Sequence, residues 1–355
     1  MNKKIFFVSI LMMCFLLVQG VSAATSIGSC TTISTSGEYE LTVDIIDSTD
    51  TVCIDIQAND VVLDCQGHNV DGNNSGNGIR IFRSPKENSN VVIKNCVVTD
   101  WYNGIYLINA DNNTILNNTA NNNTYGIHQG NSNNNFISGN TANFNSHGIS
   151  TLLGSNNTVI VNNTANNNSH YGIYMASYSP NPLITNTKIT GNIANLNKYG
   201  IYLQYSNNNI ISGNTANSNT NEGIRLTTTT DGSIFNNIFL NNEFGTVLMS
   251  SNNNTIYNNY FDNKYNGYDY GGNFWNTTNH TGINIIGGPN IGGNYFADYK
   301  YTDTNGDGFG EVPYVPFGGQ GSKDYLPLAI PEVPTIFLSI GMMFLSMLRM
   351  KKKLE

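Results

Sequence analysis

A glycine followed by a β-branched residue recurs at Gly78, Gly104, Gly126, Gly148, Gly172, Gly200, Gly223 and Gly245, with spacings of 26, 22, 22, 24, 28, 23 and 22 residues. A second register runs beside it: an apolar residue, an Asn three later, and a small or apolar residue two beyond that. Examples are Ile115/Asn118/Ala120, Ile137/Asn140/Ala142 and Ile234/Asn237/Phe239. A period near 22 residues leaves room for two or three short strands and their turns, which cannot bury a face alone but can do so by stacking. The pattern predicts an all-β fold: a right-handed, single-stranded parallel β-helix of roughly 9–10 coils over residues 24–262, closed by an irregular C-terminal cap over 263–330. Equivalent residues of successive coils then lie one strand spacing apart, about 4.8 Å.

That geometry accounts for the asparagine. Asn and Gly are poor helix formers and good turn formers, and no amphipathic helical pattern occurs between Ala24 and Leu328. An Asn at one turn position of every coil can hydrogen-bond to its copies above and below. Asn118, Asn140, Asn163, Asn192, Asn214, Asn237 and Asn259 are the expected ladder. Other asparagines suit left-handed turns.

The segment VCIDIQANDVVLDCQGHNVDG (52–72), the repeated GIYL and NNTI, and the C-terminal GGNYFADYKYTDTNGDGFGEVPYVPF with DYLPL resemble NosD-type, pectin-lyase-like β-helix proteins of archaeal cell surfaces, over roughly residues 28–328. The resemblance implies the fold. It is weak for function, because this architecture hosts lyases, hydrolases, epimerases and inert surface proteins. It also implies periplasmic copper handling, yet the body holds no Cys/His/Met cluster with ligand spacing, its histidines being His68, His128, His147, His170 and His280.

Both ends carry targeting features. Lys3 and Lys4 precede an apolar run, and Val21-Ser22-Ala23 offers a cleavage site, so residues 1–23 read as a secretory signal. Residues 331–355 hold a Pro-Glu-Val-Pro-Thr motif, a short apolar run and the basic Arg349 and Lys351–Lys353. This tail resembles the PEF-CTERM sorting signal, with Val333 in place of Phe, which implies an archaeosortase-like processing enzyme and a lipid anchor. An uncleaved C-terminal membrane helix is the alternative. Either places the body on the outer face of the cell, anchored by its C-terminus. Without residues 1–23 and 335–355, ten basic and twenty-three acidic side chains remain, a charge of −13 that repels nucleic acid. Cys30, Cys53, Cys65 and Cys96 remain in the exported body. Stacking one coil apart suggests Cys30 with Cys53 and Cys65 with Cys96, against four buried thiols.

Chemistry is sparse. Between Asp111 and Glu222 there is no Asp or Glu, and Lys188 and Lys198 are the only charges. The central coils therefore lack the paired carboxylates of glycoside hydrolysis and the acidic cluster of a calcium-dependent lyase. Glu222 and Glu243, with Arg225, fall in neighbouring coils and are either a catalytic edge or solvated turn charges. Strand alternation turns residues one and three after each repeat glycine inward, so the residue between them, and the one before the glycine, face out. The first set reads Arg80, Tyr106, His128, Ser150, Tyr174, Tyr202, Arg225 and Val247; the second reads Asn103, Tyr125, His147, Tyr171, Tyr199, Glu222 and Phe244.

Tyr106, Tyr125, His128, His147, Tyr171, Tyr174, Tyr199, Tyr202 and Arg225 are the candidate ligand-binding stripe. Flat aromatic faces suit sugar rings, and Asn, His and Arg suit their hydroxyls; the plainer account is that tyrosine fits a half-exposed strand. The histidines occupy different offsets from their glycines, which argues against a metal site built from them. In DTNGDGFGE, the residues Asp303, Asn305, Asp307, Phe309 and Glu311 stand at calcium-loop spacing, with Tyr314 where the last ligand belongs and Asp324 as a distant oxygen; the alternative is a metal-free turn. Ten Asn-x-Ser/Thr sequons, from Asn73 to Asn279, suit a glycosylated exported chain. Taken together, the sequence favours an anchored, non-catalytic surface protein that binds envelope or matrix glycans or acts as a rigid spacer. A carbohydrate-active enzyme and a copper-handling protein are the alternatives.

Overall fold

One coil shows how the repeat folds. Thr114–Leu116, Thr119–Asn121 and Tyr125–Gly130 are three short strands, each paired in parallel with its counterparts in adjacent coils. Alternation turns Ile115, Ala120 and Ile127 inward, where all three are fully buried. The next coils repeat the set as Ile137/Ala142/Ile149 and Ile160/Ala165/Ile173. The computed structural model describes residues 23–177, 183–318 and 321–329. In it this three-sided coil is stacked about ten times, giving an eleven-stranded and a twelve-stranded sheet and a third face of short strands and single bridges. The fold is an all-β, right-handed, pectin-lyase-like β-helix, with no α-helix among the described residues. The expected signal (1–23, but for its last residue) and sorting tail (331–355) lie outside the described residues.

The interior is a set of like-on-like columns. Isoleucines fill the two long sheets, and alanine fills the tight third face until Phe239, Phe261 and Phe296 replace it, stacked 5.1 and 5.3 Å apart. Burying each such isoleucine contributes about 1.5–3 kcal/mol. The repeat glycine is required by close approach: a Cβ on Gly126 would sit 2.7 Å from the Gly148 carbonyl oxygen and 2.8 Å from the Asn145 amide nitrogen. Cys30–Cys53 and Cys65–Cys96 form two disulfides in the first coils.

The asparagine ladder is continuous. Asn140 Oδ1 accepts the backbone N–H of Asn118 at 2.9 Å and its side-chain amide at 3.0 Å, and the pattern repeats through Asn163, Asn192, Asn214, Asn237 and Asn259. It runs one step further than the repeat suggests, to Asn294, and ends on Asp324, whose Oδ2 accepts Asn294 N at 2.7 Å and Nδ2 at 3.0 Å. The rung-to-rung bonds all donate towards the C-terminal end, while each amide's second N–H turns back to an Ile carbonyl of the preceding coil; a carboxylate is the complementary terminus for the forward series, as it is at a helix N-terminus. Asp324 is wholly buried, and burial pushes its carboxyl up to about 7 against the N–H donors of Asn294 and Leu326. It was expected as a distant oxygen for the 303–311 loop, but its oxygens are taken by the ladder and by Leu326.

A second buried ladder, not singled out from the sequence, runs through Asn123, Asn145, Asn168, Asn197, Asn219 and Asn242 and ends on the half-buried Asn263. Asn117, Asn122, Asn162 and Asn167 take left-handed turns. Phe144 and Leu196 hold the same turn as Asn122 and Asn167, with φ of 57° and 58°, and are 59% and 55% exposed. The C-terminal segment interleaves with the last coil: Tyr265–Tyr270 extends the twelve-stranded sheet and Tyr295–Phe296 extends the third face.

Candidate functional site

The outer face of the twelve-stranded sheet carries two in-register columns. One pairs Asn103, Tyr125, His147, Tyr171, Tyr199, Glu222 and Phe244; the other pairs Arg80, Tyr106, His128, Ser150, Tyr174, Tyr202, Arg225 and Val247. The structure brings all nine candidate stripe residues together as one ribbon. Neighbouring centroids are 4.7 Å apart for Tyr125–His128, 4.5 Å for Tyr125–His147, 5.0 Å for His147–Tyr171, 5.2 Å for Tyr171–Tyr199 and 5.5 Å for Tyr174–Tyr202. Arg225 lies over the Tyr202 ring and Lys198 over Tyr199.

The ring geometry corrects one expectation. Interplanar angles of 12° for Tyr171–Tyr174, 22° for Tyr171–Tyr199 and 26° for Tyr125–His147 mean that the faces are largely taken up by one another. The ribbon presents hydroxyl-bearing and nitrogen-bearing edges rather than a flat π platform.

Four outward positions, Asn103, Ser150, Glu222 and Val247, are buried. Ser150 and Val247 are buried because each is a short side chain overhung by longer neighbours: His147 and Tyr174, 5.9 Å apart, lean across Ser150, and Phe244 and Tyr268 flank Val247. Asn103 is buried with its side-chain amide donating to Asn77 Oδ1 at 2.9 Å.

Electrostatically the ribbon is neutral over its middle. Burial and the neighbouring His147 lower His128 to about 4; burial and His170 lower His147 to about 4. Asn103 donates its amide to Asn77, so its oxygen accepts from His128 Nδ1 at 2.8 Å and leaves Nε2 with the lone pair. Burial raises the phenols of Tyr106 and Tyr171. A cavity of about 620 Å³ opens on this stretch, lined by Tyr125, His147, Tyr171, Tyr174, Gln204 and Tyr205 among others.

Glu222 is not a solvated turn charge. It is buried, burial raises its pKa, and Oε1 meets Arg225 at 3.1 Å while Oε2 is buried with no hydrogen-bond partner. Glu243 is exposed and pairs with Lys264 at 3.3 Å. The charge of Glu243 adds to the rise of the Glu222 carboxyl, so the two lie within electrostatic reach of each other.

In the 303–311 loop, Asp303 accepts the amides of Gly306, Asp307 and Gly308, Asn305 accepts Asp307, Asp307 accepts Phe309, and Glu311 accepts Thr304. These oxygens close the turn on itself, and Phe309 is buried against the cap. Among the described residues no group of three or more His, Cys, Asp or Glu could hold a metal.

The sequence matches the family described as "Periplasmic copper-binding protein (NosD)" over residues 57–192 and 185–301. No curated protein matches it by sequence. Among solved structures, the DFA-IIIase from Arthrobacter chlorophenolicus A6 in complex with GF2 superposes with a TM-score of 0.51 at 13% identity, covering 63% of this chain and 64% of that one. The Dettilon tailspike protein gives 0.48 at 16%, covering 77% and 60%, and the A-module of a mannuronan C-5 epimerase from Azotobacter vinelandii gives 0.48 at 16%, covering 71% and 82%. The chain thus spans about 60% of the tailspike's length. At these identities the likeness is one of fold.

Proposed function

The chain belongs to the NosD family, and from that premise we propose that it is an exported β-helix of the cell surface that binds glycan along its aromatic ribbon without turning it over. The observation that carries this is the unbroken run of Tyr and His edges at 4.5–5.5 Å steps, opening into a cavity of about 620 Å³. Uncharged phenols and imidazoles at a regular advance per coil suit the hydroxyls of an extended neutral glycan. Export is supported by the two disulfides and the apolar leader. In this reading the C-terminal tail holds the protein to the membrane, directly or after processing by an archaeosortase-like enzyme.

The family description also names copper, and the described residues do not fit a copper centre. All four body cysteines are in disulfides, and His147 and His170 stack ring on ring at 5.8 Å instead of converging.

A glycan array probed with the protein and with its Tyr174→Ala/Tyr202→Ala variant tests the proposal. Binding lost in the double variant is the expected result. A folded wild-type protein that retains no glycan, or a variant that binds equally, overturns it.

A further inference from the structure

Two adjoining cavities on the C-terminal cap, of about 360 and 540 Å³, share Gly271 and Gly272 as their floor. Three aromatic side chains border them: Tyr270, Phe274 and Tyr325, each 58% exposed. None of the three stacks on another ring among the described residues, unlike the rings of the ribbon, whose faces cover one another. Free aromatic faces at a concave, polar surface are what the apolar face of a pyranose packs against.

The glycines sharpen the reading. Gly271 is needed by the fold, since a Cβ there would collide with the Ser251 carbonyl. Gly272 is not. Its φ lies outside the left-handed region, and the nearest atom to an added Cβ is Asn252 Oδ1 at 3.8 Å, an ordinary contact. Its N–H donates to Asn252 and its carbonyl accepts from Asn253, bonds that any residue could make. Glycine at an exposed position that the backbone does not require leaves the floor of both cavities open, as where a ligand approaches closely.

The polar rim sets the ligand class. Lys323 is exposed and forms no ion pair among the described residues. The two carboxylates nearest in sequence to this rim are spent inside. Asp269 accepts from Gly271, Asn273 and the Trp275 indole, and Asp324 closes the ladder. Asn276 and Ser322 line the same wall.

We infer that the cap carries a second saccharide site, separate from the ribbon, which takes a pyranose unit bearing a carboxylate. The ring packs on Phe274 or Tyr325 over Gly272, and the carboxylate meets Lys323.

Trigalacturonic acid and galactotriose, titrated calorimetrically into the full chain, test this. Trigalacturonic acid is expected to bind more tightly than galactotriose. Gly272→Trp, which fills the floor, and Phe274→Ala are each expected to weaken it at least tenfold, and Lys323→Ala to remove the preference for the acid. Tyr174→Ala/Tyr202→Ala should leave it unchanged, so the cap site and the ribbon fail separately. An unaltered melting temperature of Gly272→Trp certifies its fold; should it shift, the exposed Phe274 and Lys323 variants decide. Wild-type protein that binds neither sugar, variants that bind like wild type, equal binding of both sugars, or loss of binding in the ribbon variant would overturn the inference.

Discussion

Replacing Asn192 by alanine removes one rung from the middle of the ladder, and the consequence can be worked from its bonds. Asn192 Oδ1 accepts from Asn163 N at 2.9 Å and Asn163 Nδ2 at 3.0 Å, and its amide donates to Ile160 O at 2.9 Å and to Asn214 Oδ1 at 3.0 Å. After truncation, Asn163 Nδ2 keeps Ile137 O, and Asn214 Oδ1 keeps the backbone N–H of residue 192. The Asn163 backbone N–H loses its partner in a site closed to water, while the Ile160 carbonyl gives up one of two donors and keeps the strand N–H of Thr190 that the parallel register supplies. A buried unsatisfied donor costs about 1–3 kcal/mol and a lost hydrogen bond about 0.5–1.5 kcal/mol, so Asn192→Ala should lose about 2–4 kcal/mol, read as a lower urea midpoint at unchanged slope. Hydrogen exchange at the Asn163 amide should quicken in step. Asn186→Ala, at an exposed left-handed turn, should cost only about 1 kcal/mol. A loss below about 1 kcal/mol for Asn192→Ala with Asn163 still protected would refute the view that the ladder holds the coils together.

Three further outcomes are expected. Because the folded pKa values of His128 and His147 lie below the unfolded value of 6.5, the unfolded chain binds more protons and stability is lost as pH falls from about 6.5 to 4. His147→Tyr, matching Tyr125 and Tyr171 in the same column, should flatten that loss in melting curves, and an unchanged acid slope would count against it. Leu196→Asn and Phe144→Asn, which restore the turn residue of neighbouring coils, should each raise stability by about 1 kcal/mol in urea titrations; destabilisation would show that the apolar side chains have a partner. Adding calcium or removing it with a chelator should leave the melting temperature unchanged, since Asp303 is already spent on loop amides. A rise of several degrees with calcium would show that those oxygens turn to the metal.

The fold was legible because every coil repeats the same constraint. Gly104, Gly126 and Gly148 each abut the glycine of the next coil, and Ile115 stacks on Ile137, so a stacking requirement in space appears as a period in the chain. The second ladder was hidden by excess. In Asn121-Asn122-Asn123, one residue faces out, one takes the left-handed turn and one is buried, and composition does not separate them. A constant offset of three or four residues before the repeat glycine is the signal that would have found Asn123, Asn145 and Asn168. The ribbon's membership could be read from alternation, but whether it offers faces or edges depends on side-chain torsions that alternation does not set. Burial of Ser150 and Glu222 likewise follows from the reach of their neighbours, not from their own position. The cap has no repeat, so Gly272 and its three aromatic neighbours left no periodic trace.

The ladder's one-way run of donors from Asn118 to Asp324 has a consequence for how such a chain can change length. A duplicated 22-residue unit inserted between two middle coils would meet an acceptor on one side and a donor on the other, and could join without redesign of its neighbours. A unit added after Asn294 would have to displace the acid that terminates the series. Middle coils are therefore the interchangeable segments of a ruler whose final mark is fixed, and relatives of different length should differ in the number of central repeats while keeping an acidic residue at that terminus.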